Sequence, residues 1–135
     1  MFEAMNIAIL IGAGATQAVV NAGGDLRVHG AHAEPVELRH DPLAPAAALL
    51  ELRNGAVATS ASAAGRGPHV DGRTRRPSGG RAVSVAAPRC AIADGLTKVV
   101  LAGDAAITRK TLAHFGAQAC EYVAGSGWRE TDAAA

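Results

Sequence analysis

Aromatic residues are scarce in this chain of 135 residues, since Phe, Trp and Tyr together make up 3% of the sequence. Proteins that bind single-stranded nucleic acid stack bases on aromatic side chains, so the composition argues against that class. An excess of positive charge is also missing, because 13 Lys and Arg face 12 Asp and Glu. A domain that binds duplex nucleic acid shows a strongly basic face. Nucleic acid is therefore not expected as a partner.

Long hydrophobic runs are missing too. No stretch of about 18 apolar residues, the length that a transmembrane helix needs, occurs in the sequence. No basic segment followed by an apolar run and a cleavage site is visible, so the default expectation is a cytoplasmic location without a membrane span. Cys90 and Cys120 are too few for a disulfide framework. We expect both to be small buried apolar side chains.

The chain nevertheless has what a core requires, because 49% of its residues are hydrophobic. Its length fits a single domain over residues 1–135, with 125–135 expected to be a frayed tail. Apolar spacing predicts a helix from Met1 to the glycines at 12 and 14, and another over 91–102 that stops at Gly103. Asp104 is expected to cap a third helix that ends at Gly116.

Short β-prone runs predict the strands of the domain. The Asn-Gly pair at 54–55 lies between two of these runs and predicts a β-hairpin. The runs are 17–20, 26–28, 36–39, 49–52, 56–58, 82–86 and 117–123.

The segment from Ile7 to Gly14 resembles the first strand and Gly-x-Gly turn of a dinucleotide-binding fold. Gln17 stands where the third glycine belongs, and the residues that follow are too short and glycine-broken for the required helix. A helix that ends at glycine is the preferred interpretation. A Rossmann-type NAD-binding protein stays an alternative.

Two loops carry residues suited to binding or catalysis. Gly23 and Gly24, followed by Asp25, allow the backbone to approach a ligand closely, or they form a plain β-turn. His69 and Asp71 lie on one loop, where an imidazole and a carboxylate could perform acid–base chemistry at neutral pH. The alternative for this pair is a local contact in a solvated loop.

A third candidate lies on the helix predicted over 91–102. Asp94 and Thr97 are three residues apart and could hold a hard cation through their oxygen atoms. Asp94 and Lys98 are four residues apart, which is the favoured orientation of a helical ion pair. Both interpretations fit the spacing.

Taken in order, these segments resemble the C-terminal half of the ApbE family, the FAD:protein FMN transferases. The specific part of the resemblance is the order of Asn-Ala-Gly-Gly-Asp, Ala-Thr-Ser, His-Val-Asp and Ala-Asp-Gly-Leu. The similar blocks cover most of the chain, at residues 18–30, 36–40, 54–60, 69–74, 82–85 and 93–97.

The resemblance implies an α+β fold with a mixed or antiparallel sheet and packed helices. It also implies Mg²⁺-dependent transfer of FMN from FAD to a Ser or Thr hydroxyl of an acceptor flavoprotein, with release of AMP. Carried over by position, it assigns residues to the flavin nucleotide, to catalysis and to the metal. These are Asn21, Gly23, Gly24, Asp25, Thr59 and Ser60 for the nucleotide, His69 and Asp71 for catalysis, and Asp94 and Thr97 for Mg²⁺.

The sequence departs from the family pattern in both catalytic segments. The family loop His-x-x-Asp-Pro-x-Thr-Gly is one residue shorter here, with Gly72 for Pro and Arg75 for Gly. In the family's Asp-x-x-x-Thr helix, Lys98 takes the Thr position and Thr97 stands one residue earlier. An ammonium group at that point would repel Mg²⁺ or replace it as a fixed positive charge.

The family's N-terminal half, with its Gly-Gly-Ile-Ala-Lys-Gly-type segment, is not matched. An incomplete sheet would leave an open edge or an apolar patch, so we expect association through that surface, a homo-oligomer included. The departures also leave open a truncated or divergent member without catalysis. The non-enzymatic alternative is a flavin-nucleotide-binding or interaction module.

Overall fold

The structure is a computed structural model that describes residues 2–40, 48–61, 69–77 and 81–131. Within these ranges the chain forms helices and strands in an α+β order. The elements are α1 (Phe2–Gly12), β1 (Ala18–Ala22), β2 (Asp25–His29), β3 (Glu34–Leu38), β4 (Ala48–Leu52), β5 (Ala56–Ala61), β6 (Ala82–Ala87), α2 (Cys90–Ala102), α3 (Ala105–Phe115), β7 (Gln118–Val123) and β8 (Gly127–Glu130).

Six of the strands form one sheet in the order β1-β2-β5-β6-β7-β8, and β3 pairs with β4 in a separate two-stranded sheet. Each of these pairings is antiparallel. The expected α+β class with an antiparallel sheet is therefore confirmed.

The six-stranded sheet is covered on both faces. On one face, α2 and α3 pack on small residues and valines of β5, β6 and β7, and on the other face lies the β3–β4 sheet. Because side chains alternate along a strand, neighbouring residues of β5 serve different layers. Ala58 packs under the helices, whereas Val57 packs against β3 and β4.

The Asn-Gly pair does form a turn, with Asn54 at φ 42°, but the hairpin predicted around it is wrong. Strand β4 pairs with β3, while β5 pairs with β2 and β6. The turn therefore carries the chain from the small sheet to the large one. The Gly55 carbonyl accepts a hydrogen bond from the backbone N–H of Val28 at 2.8 Å, which fastens this crossing to β2.

Both helix boundaries predicted around residue 103 are confirmed. Gly103 ends α2 in the left-handed region at φ 81°, and Gly116 ends α3 at φ 60°. The Asp104 carboxylate accepts from the backbone N–H of Ile107 at 2.9 Å, which satisfies one of the free donors at the start of α3. These caps fix where α2 ends and where α3 begins and ends.

The N-terminal segment is helical, so the dinucleotide-binding alternative is wrong. Residues 7–12 belong to α1 rather than to a first strand, and the large sheet contains no parallel pair among the described residues. On α1, Ile7 is buried, whereas Met5, Ile9 and Leu10 are exposed. Association through an apolar surface, as expected from the sequence, stays a prediction.

The C-terminal segment is not frayed where the structure describes it. Residues 127–130 form β8, which pairs with β7 from Val123 to Cys120. Trp128 packs against the core on the β3–β4 side, and this burial is what the sequence reasoning overlooked. The expected frayed tail is therefore corrected for these residues, and residues 132–135 lie outside the described ranges.

Cys90 is buried, as the sequence predicts, whereas Cys120 is only half-buried. Among the described residues, no helix combines the length and the hydropathy that a membrane crossing requires.

Candidate functional site

Thr59 and Ser60, assigned together to the flavin nucleotide, lie on opposite faces of the sheet because they are neighbours on β5. Thr59 Oγ1 is 2.7 Å from Ser84 Oγ on β6. Ser60 Oγ is 2.8 Å from Thr97 Oγ1, under α2. The structure therefore divides the predicted site into two regions.

The first region is a groove of about 330 Å³ between the β1–β2 turn and strand β3. It brings together Asn21, Gly24 and Thr59, three of the residues predicted to bind the nucleotide. Glu37 of β3 and Arg39, which directly follows this strand, complete its polar lining and form an ion pair at 2.7 Å. These two residues escaped the sequence reasoning, because only the packing of the small sheet brings β3 to the turn.

The glycines of this region are required because of their backbone conformation, and not because a side chain would clash with neighbouring atoms. Gly23 and Gly24 have φ values of 72° and 110°, a conformation that residues with a Cβ atom rarely adopt. Apart from the adjacent residues, no atom of the described part of the chain lies within 4 Å of a Cβ built at either position. The Gly24 N–H donates to Asn21 Oδ1 at 3.2 Å. Asp25 follows as the half-buried first residue of β2.

The second region is a chain of hydrogen bonds between β5 and α2. Thr97 Oγ1 donates its one proton to the Asp94 carbonyl at 2.7 Å. In the bond between the two hydroxyls, Ser60 is therefore the donor and Thr97 Oγ1 is the acceptor. Ser60 Oγ in turn accepts from Lys98 Nζ at 3.1 Å. Lys98 Nζ also forms an ion pair with Asp94 Oδ1. Thr97 is fully buried and Ser60 is 6% exposed, so the hydroxyl that accepts from the Lys98 ammonium is held in a fixed position.

This arrangement does not fit the Mg²⁺ expected at Asp94 and Thr97. Magnesium requires near-octahedral oxygen ligands, whereas the Thr97 hydroxyl is buried and bonded within the protein. The carboxylate of Asp94 already faces the Lys98 ammonium. At about 4 Å, a divalent cation and an ammonium repel each other by about 2 kcal/mol even in bulk water. No group of three His, Cys, Asp or Glu side chains suited to a metal occurs within the described part of the chain.

The predicted catalytic pair lies beside the same lysine. His69 and Asp71 line a cleft of about 40 Å³. The other wall of this cleft is the C-terminal part of α2, with Lys98, Leu101 and Ala102. The cleft is too small for a flavin ring. Lys98 therefore belongs both to this cleft and to the hydrogen-bonded chain that leads to Ser60.

Asp71 organises the turn that follows it. Its carboxylate accepts from the Arg73 backbone N–H at 2.8 Å and from Thr74 Oγ1 at 2.9 Å. These bonds, the first above all, hold the pKa of Asp71 below its ordinary value. The carboxylate is therefore anionic at neutral pH and is a weak base, so in this arrangement it positions the loop. The catalytic assignment of His69 and Asp71 stays a prediction.

Comparisons with known proteins agree with this fold. The model of the ApbE family matches residues 4–120. No curated protein sequence is significantly similar to the chain. Among solved structures, an ApbE protein from Thermotoga maritima has a TM-score of 0.76 at 21% identity. The match covers 96% of this chain and 48% of the Thermotoga chain.

Two further structures are similar in the same way. The flavin transferase ApbE from Vibrio cholerae has a TM-score of 0.69 at 20% identity, covering 97% of this chain and 47% of its own. The Pseudomonas stutzeri flavinyl transferase ApbE has a TM-score of 0.72 at 22% identity, with 97% and 46% covered. The chain thus spans about half the length of these structures. Since the family model matches most of the sequence, this chain belongs to the ApbE family.

Proposed function

We propose that this chain forms part of the flavin-nucleotide site of an FAD:protein FMN transferase. In this reaction, a Ser or Thr hydroxyl oxygen of a target flavoprotein attacks the FMN phosphorus of FAD. The bond from that phosphorus to the bridging oxygen breaks, AMP leaves with this oxygen, and the hydroxyl gives up its proton. Phosphoryl transfer of this kind depends on positioning and on charges near the phosphates.

The observation that carries the proposal is the convergence of His69, Asp71 and Lys98 on one cleft in a member of the ApbE family. A neutral imidazole is suited to accept the hydroxyl proton near pH 7. The Lys98 ammonium supplies a positive charge for the phosphates, and Asp71 orders the turn that follows His69 in the chain.

The groove beside Asn21, Gly24 and Thr59 is proposed for the remainder of the nucleotide. The groove and the cleft lie on opposite faces of the large sheet, because Thr59 faces β3 and Ser60 faces α2. Substitutions in the two regions should therefore affect binding and transfer differently.

The test is transfer of FMN from FAD to a Thr-containing acceptor peptide, followed by mass spectrometry, alongside FAD binding by flavin fluorescence. We expect His69→Gln to lower the transfer rate by about 10²-fold, the usual contribution of a general base, with FAD affinity unchanged. His114→Gln is the matched control, because His114 is exposed on α3 and stacks only edge-on against Phe115 among the described side chains. Equal rates for the two variants would remove His69 from the reaction.

A second candidate is a flavin-nucleotide-binding module without transferase activity. It is favoured by the Asp94–Lys98 ion pair, which removes the carboxylate from metal binding. The two candidates make different predictions for the same assay. Saturable FAD binding with no labelled peptide supports the binding module, whereas labelled peptide excludes it.

A further inference from the structure

We infer that the Lys98 ammonium takes the place of a divalent cation, so that this chain binds the diphosphate of a flavin dinucleotide without Mg²⁺. This inference rests on the proposed function, because it concerns the same nucleotide. It goes beyond it by stating that the Lys98 ammonium makes Mg²⁺ unnecessary for binding. The starting point is the arrangement at Asp94, which fits an ammonium group and does not fit a metal.

The ammonium is held in place from two sides. It has three N–H donors, of which one is directed to the Asp94 carboxylate and one to Ser60 Oγ at 3.1 Å. The third donor is left for a ligand among the contacts that the structure describes. The Lys98 side chain is 48% exposed, so a phosphate oxygen has access to it.

Ser60 and Thr97 act as positioning residues for this ammonium. Ser60 directs its proton to Thr97 and therefore presents a lone pair to Lys98. Thr97, fully buried, fixes Ser60 by donating its own proton to the Asp94 carbonyl. A lysine side chain loses much rotamer entropy when it binds a ligand, and this support lowers that loss.

The location of the ammonium connects it to the predicted chemistry. Lys98 lines the cleft that contains His69 and Asp71. A phosphate bound there lies between the fixed positive charge and the imidazole. A single ammonium carries half the charge of Mg²⁺, so the binding should weaken as the salt concentration rises.

The experiment titrates the purified chain with FAD, by flavin fluorescence and calorimetry, once with EDTA and once with excess Mg²⁺. The variants are Lys98→Met, which keeps the alkyl stem, and Lys98→Arg, which keeps the charge. Lys110→Met is the matched control, because Lys110 is an exposed lysine of α3 outside the cleft. Riboflavin is the control ligand, since it lacks the phosphates. A thermal melt of each variant checks folding.

We expect the affinity of the wild type for FAD to be the same in EDTA and in Mg²⁺ within about twofold. Lys98→Met should weaken FAD binding in EDTA by about tenfold, which is the effect of one lost charge-assisted hydrogen bond. Lys98→Arg, Lys110→Met and riboflavin binding should change little. Mg²⁺ should restore part of the affinity of Lys98→Met alone, because Asp94 is then free.

Each other outcome is decisive. Wild-type binding that requires Mg²⁺, or Lys98→Met binding as tightly as wild type in EDTA, overturns the inference and leaves the proposed function standing. A folded wild-type chain that binds no FAD in either condition overturns both.

Discussion

The hydrogen bond between Ser60 and Thr97 should contribute to stability by linking β5 to α2. Thr97→Val removes the hydroxyl and keeps the shape of a fully buried side chain. The Asp94 carbonyl loses one donor, and Ser60 Oγ keeps its bond from Lys98 but loses the acceptor of its own proton. A hydrogen bond in this setting contributes about 1 kcal/mol net, so we expect Thr97→Val to lower the free energy of unfolding by about 1 to 2 kcal/mol.

The two hydroxyls share a bond, so their substitutions should not add. Ser60→Ala removes the same bond from the other side and leaves Thr97 donating to the Asp94 carbonyl. The double variant loses the shared bond once, which gives a coupling of about 0.5 to 1.5 kcal/mol in a double-mutant cycle. For a chain of this size, 1 kcal/mol lowers Tm by about 3 to 5 °C.

The assay is urea unfolding of the four proteins followed by far-UV circular dichroism, with the free energies taken from the linear dependence on urea. Thr111→Val is the matched control, because Thr111 Oγ1 donates to the Ile107 carbonyl at 2.7 Å within α3 and has no bond to another element among the described contacts. We expect this control to change stability by less than about 0.5 kcal/mol. Additivity of Ser60→Ala and Thr97→Val within about 0.3 kcal/mol would refute the reasoning.

Three further predictions concern the core, the turn and a thiol. Leu112→Ala should lower the free energy of unfolding by about 2 to 5 kcal/mol, because Leu112 is fully buried, whereas exposed Leu49→Ala should change it by less than about 0.5 kcal/mol in the same urea titration. The lowered pKa of Asp71 contributes stability above its unfolded value of 3.8, and this contribution is lost as the pH falls through the folded pKa. Asp71→Asn should therefore reduce the loss of Tm on acidification below about pH 4, and an unchanged acid profile would contradict the assignment. Burial, and secondly the negative charge of Glu130, raise the pKa of the Cys120 thiol. Iodoacetamide should thus modify Cys120 more slowly than a cysteine in an unfolded peptide near pH 8, and Glu130→Gln should accelerate the reaction.

The helices could be predicted from the sequence because their signals are local. Asp104 before α3, and the glycines at 103 and 116, satisfy or terminate backbone hydrogen bonds within a few residues of themselves. The Asn-Gly turn was equally local and was located correctly. Its two flanking strands pair elsewhere, because a turn signal fixes the direction of the chain but leaves open which strands become neighbours.

The site was only partly predictable for the same reason. The order of motifs assigned residues to the nucleotide, to catalysis and to the metal, but it treated Thr59 and Ser60 as one contact. The alternation of side chains along β5 separates them, and this separation depends on which layers cover the two faces. The contribution of Glu37 and Arg39 to the groove depends on the docking of β3, which no local motif indicates.

The sequence by itself determined the family, through the order of its motifs, and the helix ends, whose signals lie within a few residues. The spacing of Asp94 and Lys98 allowed an ion pair but left a cation site open beside it. Only the tertiary structure decided what that ion pair does. Ser60 is 38 residues from Lys98 in the sequence, and the packing of α2 on β5 brings its hydroxyl to the ammonium. The loop at His69 reaches the same lysine through packing on α2. Contacts between distant segments depend on the burial of the whole core, which no local motif encodes.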